Sequence, residues 1–227
     1  MSKLPSSLKP VLFVLTSYEG EGDTGFYLPE LTHPLHVLDE AGIPTMLASI
    51  KGGLPPVYGV ELEDPINAHY WNNSDFQQRL NHTPALADID SSQYSAVMYV
   101  GGHGTMWDFP VDGSVQRLNR EMYENGQIVA AVCHGPAALV NVKLSNGDWL
   151  VKGKHIAAFT DSEERAVGMA DVVPFLLEST LKAHGAIHEG APDWNTKVVT
   201  DGNLITGQNP QSAAGVGEAI RDKLLAY

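Results

Sequence analysis

The segment Ile128–Val140 has the sequence IVAAVCHGPAALV and contains the only cysteine among the 227 residues of the chain. Its first five residues are continuously apolar, as expected for a strand buried on both faces of a parallel sheet. A helix-like run begins directly after Cys133, with Pro136 in its first turn, where a missing N–H costs little. This order of strand, nucleophilic side chain and helix is typical of a nucleophile elbow, a sharp turn at the carboxyl edge of a sheet.

This context allows two interpretations of Cys133. Free cysteine is among the most frequently buried residues, so Cys133 could be a small core side chain. A helix N-terminus directed at the sulfur would instead favour a reactive, thiolate-rich cysteine. The segment VGGHGT at 100–105 ends the preceding strand and places Gly102 and Gly104 at the same edge. Its backbone N–H groups, with the amide of His134, would form an oxyanion hole, which favours the nucleophile.

The rest of the chain alternates apolar runs with helical patterns. Runs of strand length lie at residues 11–17, 43–49 and 94–100. Helical spacing of apolar residues is found at 27–42, 115–126, 174–185 and in a terminal helix from 209. Two hairpins are predicted at 148–160 and 197–208, and the segment 51–90 is predicted to be irregular with one short helix near 75–80. This order predicts one α/β domain over 1–227, a flavodoxin-like parallel-sheet sandwich with helices on both faces.

Composition excludes several classes of partner. The formal net charge is −13 and the chain has only fourteen Lys and Arg residues. Nucleic acids and anionic membranes bind clustered basic side chains, so we expect neither as a partner. A single cysteine allows no intramolecular disulfide, and the opening residues 1–22 lack the small-residue cleavage site of a signal peptide. We therefore expect a cytoplasmic protein.

Several motifs resemble those of a known family. They are GGHGTMWDFP at 101–110, AAVCHGP at 130–136, AFTDSEE at 158–164 and ITGQNPQS at 205–212. Together they are similar to the ThiJ/PfpI superfamily, within the class I glutamine amidotransferase-like fold. LTSYEG and YLPELTHPL, near the N-terminus, fit the branch of stress-induced, chaperone-like proteins with glutathione-independent glyoxalase (glyoxalase III) activity. The resemblance extends from about Val11 to the last helix.

The resemblance implies roles for three residues at the reactive centre. Cys133 matches the family nucleophile, and His134 matches the adjacent histidine of its triad. Glu30 matches the acid that contacts the cysteine from the first helix.

Further residues are implied around this centre. Glu164 matches the acid that orients the triad histidine, with Asp161 and Glu163 as close rivals in the same motif. His103 and Tyr18 match side chains that line the substrate pocket.

For the reaction, the resemblance implies a lyase of the glyoxalase III type, a D-lactate dehydratase. Such an enzyme converts methylglyoxal or a related small 2-oxoaldehyde into a 2-hydroxy acid, D-lactate, through a cysteine hemithioacetal. Glu30, with His134 as the second candidate, would move a proton between the two substrate carbons. We expect no cofactor, no metal and a homodimer.

Two alternatives stay open at this point. The protein could be a holdase-type stress chaperone or a protein deglycase, with unfolded proteins as clients. It could also be a cysteine peptidase or amidase, which the wider superfamily includes. A glutamine amidotransferase triad needs a distant histidine, and neither His184 nor His188 matches that position clearly.

Overall fold

The structure of the protein is a computed structural model that describes residues 8–20 and 24–226. Its strands are β1 Val11–Leu15, β2 Phe26–Tyr27, β3 Thr45–Ser49, β4 Val57–Tyr58, β5 Ala96–Tyr99, β6 Ile128–Val132, β7 His155–Ile156, β8 Ile187–His188, β9 Val198–Asp201 and β10 Leu204–Gly207. Its helices are α1 Leu28–Glu40, α2 Pro65–Trp71, α3 Ser74–Asn81, α4 Thr105–Asp108, α5 Gly113–Glu124, α6 Asp161–Ala166, α7 Leu177–Ala183 and α8 Ala213–Leu225. The signal-peptide prediction concerns residues 1–22, of which 1–7, 21 and 22 lie outside the described residues.

A central sheet carries the fold. Within the described residues it has six strands in the order β3-β1-β5-β6-β10-β9, all parallel except the edge strand β9. Val11, Phe13 and Leu15 of β1 pack into the apolar cluster that contains α1 and α8. Leu12 and Val14 pack on the opposite face, in the cluster that contains α5. Both faces of the strand are thus buried, which confirms the predicted α/β parallel-sheet sandwich.

Two local predictions are wrong. Residues 148–160 do not form a hairpin: β7 pairs in parallel with the distant strand β8. Gly153 lies in a turn as expected, but a turn signal is local and does not show which strand follows it as a partner. The run after Cys133 forms a five-residue 3-10 helix, Gly135–Leu139, instead of an α-helix. Gly and Pro are the weakest helix formers, and they occupy its first two positions.

The segment 51–90 is more ordered than predicted. The short helix expected near 75–80 is α3, and a second helix, α2, precedes it. The side chain of Asp64 accepts hydrogen bonds from the N–H groups of Ile66 and Asn67 and so caps α2, with Pro65 at its first position. An Asp-Pro pair at these positions is a helix-start signal that is local to the sequence.

The topology brings the polar loops to one edge of the sheet. The carboxyl ends of β5 and β6 are neighbours there, and the first turn of α1 lies beside them, since the N–H of Tyr27 donates to the carbonyl oxygen of Gly101 at 3.1 Å. Across residues 8–20 and 24–226, the structure contains no helix with the length and apolar character needed to cross a bilayer.

Candidate active site

Cys133 follows β6 directly and has a left-handed backbone conformation, with φ of 60°. Its N–H donates to the carbonyl oxygen of Gly207, and its own carbonyl oxygen accepts from the N–H of Phe159, both at 2.9 Å. A residue with a Cβ rarely adopts this conformation, and here the hydrogen bonds on both sides hold it in place. The strand therefore ends in the sharp turn of a nucleophile elbow, with the side chain only 4% exposed.

Glu30, the third residue of α1, is fully buried next to Cys133. Among the described residues, neither carboxylate oxygen completes a hydrogen bond of normal geometry, although the Cys133 thiol and the Gly101 amide both face the group. Burial raises the pKa of Glu30 from 4.5 to about 8, and these two neighbours lower it only in part. Glu30 is therefore mostly protonated at neutral pH and can give or take a proton beside the sulfur.

The same burial corrects the prediction that Cys133 is rich in thiolate. Desolvation raises the pKa of the Cys133 thiol well above its ordinary value, and the Glu30 carboxylate raises it further. The N–H of His134 points at the sulfur and opposes this effect without outweighing it. At neutral pH the resting pair is thus a thiol beside a carboxylic acid, and the nucleophile forms only when a base removes the thiol proton.

A carboxylate that is hydrogen-bonded to two histidines orients that base. Glu164 of α6 lies 2.6 Å from His134 Nε2 through one oxygen and 2.8 Å from His103 Nε2 through the other. Burial alone would raise the pKa of Glu164, but the hydrogen bonds from His103 and His134 outweigh it and lower the pKa to about 2. The group is therefore a charged acceptor, so Nε2 of His134 carries a proton.

The other ring nitrogen of His134, Nδ1, is then available to accept a proton. Burial and the nearby His103 lower the pKa of His134, so the ring is neutral at pH 7. With the proton on Nε2, the unprotonated Nδ1 lies 3.4 Å from Cys133 Sγ. This nitrogen can accept the thiol proton, and Glu164 stabilises the charge that results.

The structure distinguishes among the three acids that competed for this position. Glu164 is the one that contacts the histidines, whereas Glu163 points away and accepts a hydrogen bond from the N–H of Trp194 at 2.9 Å. Glu163 also forms the capping box at the start of α6. Asp161 accepts from the N–H and the hydroxyl of Ser179.

These groups open into a cavity of about 410 Å³. The polar residues in its lining are Glu30, Cys133, His134, His103, Tyr27 and Tyr58. Aromatic and aliphatic side chains form the rest of the wall. The geometry thus combines a nucleophile, a neutral base and a protonated acid at one end of an otherwise apolar pocket.

Tyr18 lies outside this cavity. Its ring stacks on that of Trp107, with 4.9 Å between the centroids, and neither side chain belongs to the cavity lining. The tyrosines that line the cavity are Tyr27 and Tyr58, which are direct neighbours in the parallel pair of β2 and β4. The motif around Tyr18 gave no sign of its stacking partner, which is 89 positions further along the chain (107 − 18).

The glycines predicted to form an oxyanion hole mainly permit close packing. Gly102 has φ of 113°, and a Cβ on it would lie 2.5 Å from the carbonyl oxygen of Gly25. The N–H of Gly104 donates to that same oxygen at 3.2 Å, so it is occupied within the fold. The N–H of His103 donates to the hydroxyl oxygen of Tyr58 at 3.3 Å. Because Tyr58 accepts this bond, its own O–H is available to a ligand in the cavity.

Comparison with protein families matches residues 23–222 to the DJ-1/PfpI family. The chain belongs to the DJ-1/PfpI family. The family membership expected from the sequence motifs is therefore confirmed.

Relatives of this DJ-1/PfpI protein are similar to it over nearly the whole chain. Glyoxalase 3 of Candida albicans is 33% identical, over 92% of this chain and 96% of the relative. The glutathione-independent glyoxalase HSP31 of Saccharomyces cerevisiae is 32% identical, over 90% and 93%.

Solved structures of similar proteins superpose closely on this family member. Rapid Encystment Protein 24 KDa of Francisella tularensis aligns with a TM-score of 0.92 and 37% identity, over 96% of this chain and 99% of the other. Glyoxalase III of Candida albicans aligns with a TM-score of 0.86 and 31% identity, over 94% and 96%.

The cavity residues of this DJ-1/PfpI protein that sequence reasoning missed include Tyr27, Tyr58 and Trp194. Burial raises the pKa of Tyr27 to about 12 and that of Tyr58 further, and the charge of Glu30 adds to both shifts. Tyr27 could have been found, because it directly precedes the helix that carries Glu30. Tyr58 and Trp194 lie in segments without hydrophobic periodicity and gave no signal.

The two histidines and Glu164 also bring three potential metal-ligand atoms within 4.8 Å of one another. Their hydrogen bonds already explain the arrangement, since each Nε2–H donates to one oxygen of the charged carboxylate. A cation bound there would have to displace both of these protons.

Proposed function

We propose that this protein is a glutathione-independent glyoxalase that converts methylglyoxal or a related 2-oxoaldehyde into a 2-hydroxy acid. The observation that carries the proposal is Glu30, a buried carboxylic acid with a pKa of about 8 beside the Cys133 thiol. Hydrolysis of an amide or ester by a thiol nucleophile needs only the thiol, a base and a group that orients the base. A second acid at the sulfur is what proton transfer between two adjacent carbons requires. The two glyoxalase relatives, similar over nine-tenths of the chain, support this assignment.

The first step forms a hemithioacetal. Nδ1 of His134 takes the proton of Cys133, and the thiolate adds to the aldehyde carbon C1. The C–S bond forms while the carbonyl becomes an alkoxide, which takes the proton of Glu30. Tyr58 donates its O–H to the neighbouring C2 carbonyl oxygen and stabilises the charge that develops there.

The second step is an internal redox reaction. Glu30, now a carboxylate, removes the C1 proton, which is acidic because the adjacent carbonyl spreads the charge as an enediolate. The proton on His134 passes to the C2 oxygen, and Glu30 returns its proton to C2 while the C1 hydroxyl proton goes to His134. C1 is oxidised to a thioester and C2 is reduced to an alcohol, so no external oxidant or reductant is consumed.

Hydrolysis completes the cycle. Water adds to the thioester, the C–S bond breaks, and Cys133 is released as a thiol. The proton on His134 returns to Glu30. With methylglyoxal the product is lactate, and D-lactate is the enantiomer expected from the family resemblance.

The direct test is to incubate the purified protein with methylglyoxal in the absence of glutathione and to measure both lactate enantiomers. We expect D-lactate in proportion to enzyme concentration and none with Cys133→Ala. Loss of methylglyoxal without lactate would contradict the proposal, because it would show only adduct formation with side chains.

A second candidate is hydrolysis of an amide or ester, because Cys133, His134 and Glu164 form a relay of thiol, imidazole and carboxylate. Turnover of a fluorogenic peptide, with no lactate from methylglyoxal, would favour it. Chaperone or deglycase activity stays a prediction from the resemblance. A Cys133→Ala protein that still suppresses aggregation of an unfolded client would support holdase activity as a separate property.

A further inference from the structure

The cavity is much larger than methylglyoxal. Methylglyoxal has five non-hydrogen atoms and fills on the order of 100 Å³, at about 20–30 Å³ per atom, whereas the cavity measures about 410 Å³. Apart from the reactive groups, the cavity lining includes Val167, Met169, Val172, Trp194 and Pro210. None of these side chains carries a charge, so this part of the cavity suits an apolar group.

Trp194 is held in place by its backbone. It is one of two non-glycine residues with positive φ among those described, at 64°, and the other is Cys133. Its N–H donates to Glu163 Oε1 at 2.9 Å, and the same oxygen accepts from Asn209 Nδ2 at 2.9 Å. An unfavourable backbone conformation persists only where its surroundings impose it, and such residues concentrate at functional sites.

The Trp194 ring continues an aromatic wall that starts at the base. The ring of Phe159 lies 4.3 Å from that of His134 and 5.8 Å from that of Trp194, between centroids. Trp194 is still 40% exposed, so its ring has a free surface at the mouth of the cavity. A flat apolar substituent on a substrate bound at Cys133 would find an aromatic surface there.

We propose that Trp194 determines substrate specificity and that the preferred substrates are 2-oxoaldehydes with an aromatic or branched aliphatic substituent. This proposal rests on the proposed function. The 2-oxoaldehyde end occupies the polar groups around Cys133, and the substituent occupies the apolar part of the cavity against Trp194. Glu163 is a positioning residue, because it fixes the backbone that carries the ring.

The test compares kcat/KM for phenylglyoxal with kcat/KM for methylglyoxal in three proteins: wild type, Trp194→Asn and Trp194→Phe. Asparagine tolerates the left-handed conformation but has no aromatic surface, whereas phenylalanine keeps one. We expect wild type to prefer phenylglyoxal, the ratio to fall roughly tenfold or more in Trp194→Asn, and a smaller fall in Trp194→Phe. A ratio between substrates does not depend on the fraction of folded protein. An unchanged ratio in Trp194→Asn would overturn the proposal.

A binding experiment separates this proposal from the proposed function. Cys133→Ala is titrated in a calorimeter with 1-phenyl-1,2-propanedione and with 2,3-butanedione, two neutral diketones that have no aldehyde proton to transfer. We expect the phenyl compound to bind about tenfold more tightly than 2,3-butanedione. The difference should disappear in the double variant that carries both Cys133→Ala and Trp194→Asn. If wild type turns over neither aldehyde, the proposed function fails while this result still decides the role of Trp194. Equal binding of the two diketones would overturn the subsite even in an active enzyme.

Discussion

A buried carboxyl group beside the reactive thiol, Glu30, lies where its charged form is disfavoured. Glu30→Gln keeps the size of the side chain but cannot take a proton, so kcat for methylglyoxal should fall by roughly 10²–10⁴. Cys133 should still react with iodoacetamide, because the turn after β6 does not depend on the carboxyl group. Turnover close to that of wild type would remove Glu30 from the proton transfer.

The same residue makes stability depend on pH. The pKa of Glu30 is about 8 in the folded protein against 4.5 ordinarily, so between these pH values the folded state holds more protons than the unfolded state. The free energy of unfolding therefore falls as pH rises from 4.5 to 8, by about 1.4 kcal/mol per unit of pKa shift at most. Glutamine does not titrate, so the Glu30→Gln protein does not lose this part of the free energy of unfolding as pH rises. Calorimetry should show the Tm of Glu30→Gln rising relative to wild type between pH 5 and pH 8.5, and a constant difference would contradict the shift.

Glu164 acts through a second residue, and its replacement tests that link. In Glu164→Gln the amide can donate to His134 Nε2, which would move the ring proton to Nδ1 and prevent it from accepting the thiol proton. We expect kcat to fall by roughly 10²–10⁴ but to stay measurable. A dead Glu164→Gln enzyme beside an almost unaffected Glu30→Gln enzyme would reverse the roles, and hydrolysis would become the leading function.

Tyr58 and Tyr27 offer a matched pair of hydroxyl deletions. Tyr58 accepts from the N–H of His103 inside the cavity, whereas the Tyr27 hydroxyl donates to Glu61 at 3.1 Å at the exposed rim. If Tyr58 stabilises the oxyanion, Tyr58→Phe should lower kcat by roughly 10²–10³. Tyr27→Phe should change it far less. Equal effects in steady-state kinetics would mean that both tyrosines contribute only shape.

At the scale of single elements, the end of β5 controls how closely Glu30 approaches Cys133. A Cβ on Gly101 would collide with Glu30 Oε2 and lie 2.5 Å from the carbonyl oxygen of Val132. Gly101→Ala should therefore lower both Tm and kcat. Gly113, at the start of α5, has open space around its Cα and serves as the control. We expect Gly113→Ala to keep full activity with Tm unchanged or slightly raised, and a similar outcome for Gly101→Ala would contradict the close approach.

Elements of the central sheet could be predicted because their signal is local. The strands β1, β5 and β6 are continuous apolar runs, and a parallel sheet buries both of their faces. The pairing of β2 with β4 could not be predicted, because two residues per strand carry no periodicity and the partner strand is 31 positions away (57 − 26). The same limit applies to β7 and β8, whose pairing is set by packing at the sheet's edge.

The residues of the candidate site also differ in whether the sequence predicts them. Cys133 and His134 stand in a turn that the sequence marks with small residues, and motif resemblance located Glu30 and Glu164. Tyr58, from the unpatterned segment 51–90, could be found only in three dimensions.

At the scale of the whole molecule, assembly is the property to measure. The family resemblance predicts a homodimer, and the described chain exposes large apolar side chains such as Leu54, at 62%, and Val111, at 73%. Single exposed apolar side chains are also common on monomers, so the prediction of a dimer rests on the resemblance. Light scattering at micromolar concentration should give twice the monomer mass of 24.5 kDa. The monomer mass would contradict the prediction.

The adjacent acids Glu163 and Glu164 constrain how genes for such proteins can change in length. Consecutive positions on a helix point about 100° apart, so one holds the Trp194 loop while the other faces the histidines. A codon lost between Thr160 and Glu163 would turn Glu164 toward the Trp194 loop and leave Arg165 facing the histidines. A codon gained there would turn Glu163 toward the histidines and leave the N–H of Trp194 without its acceptor. Codon insertions and deletions in descendants of this gene should therefore be absent from this turn and accumulate elsewhere, for example in the exposed turn at residues 145–147.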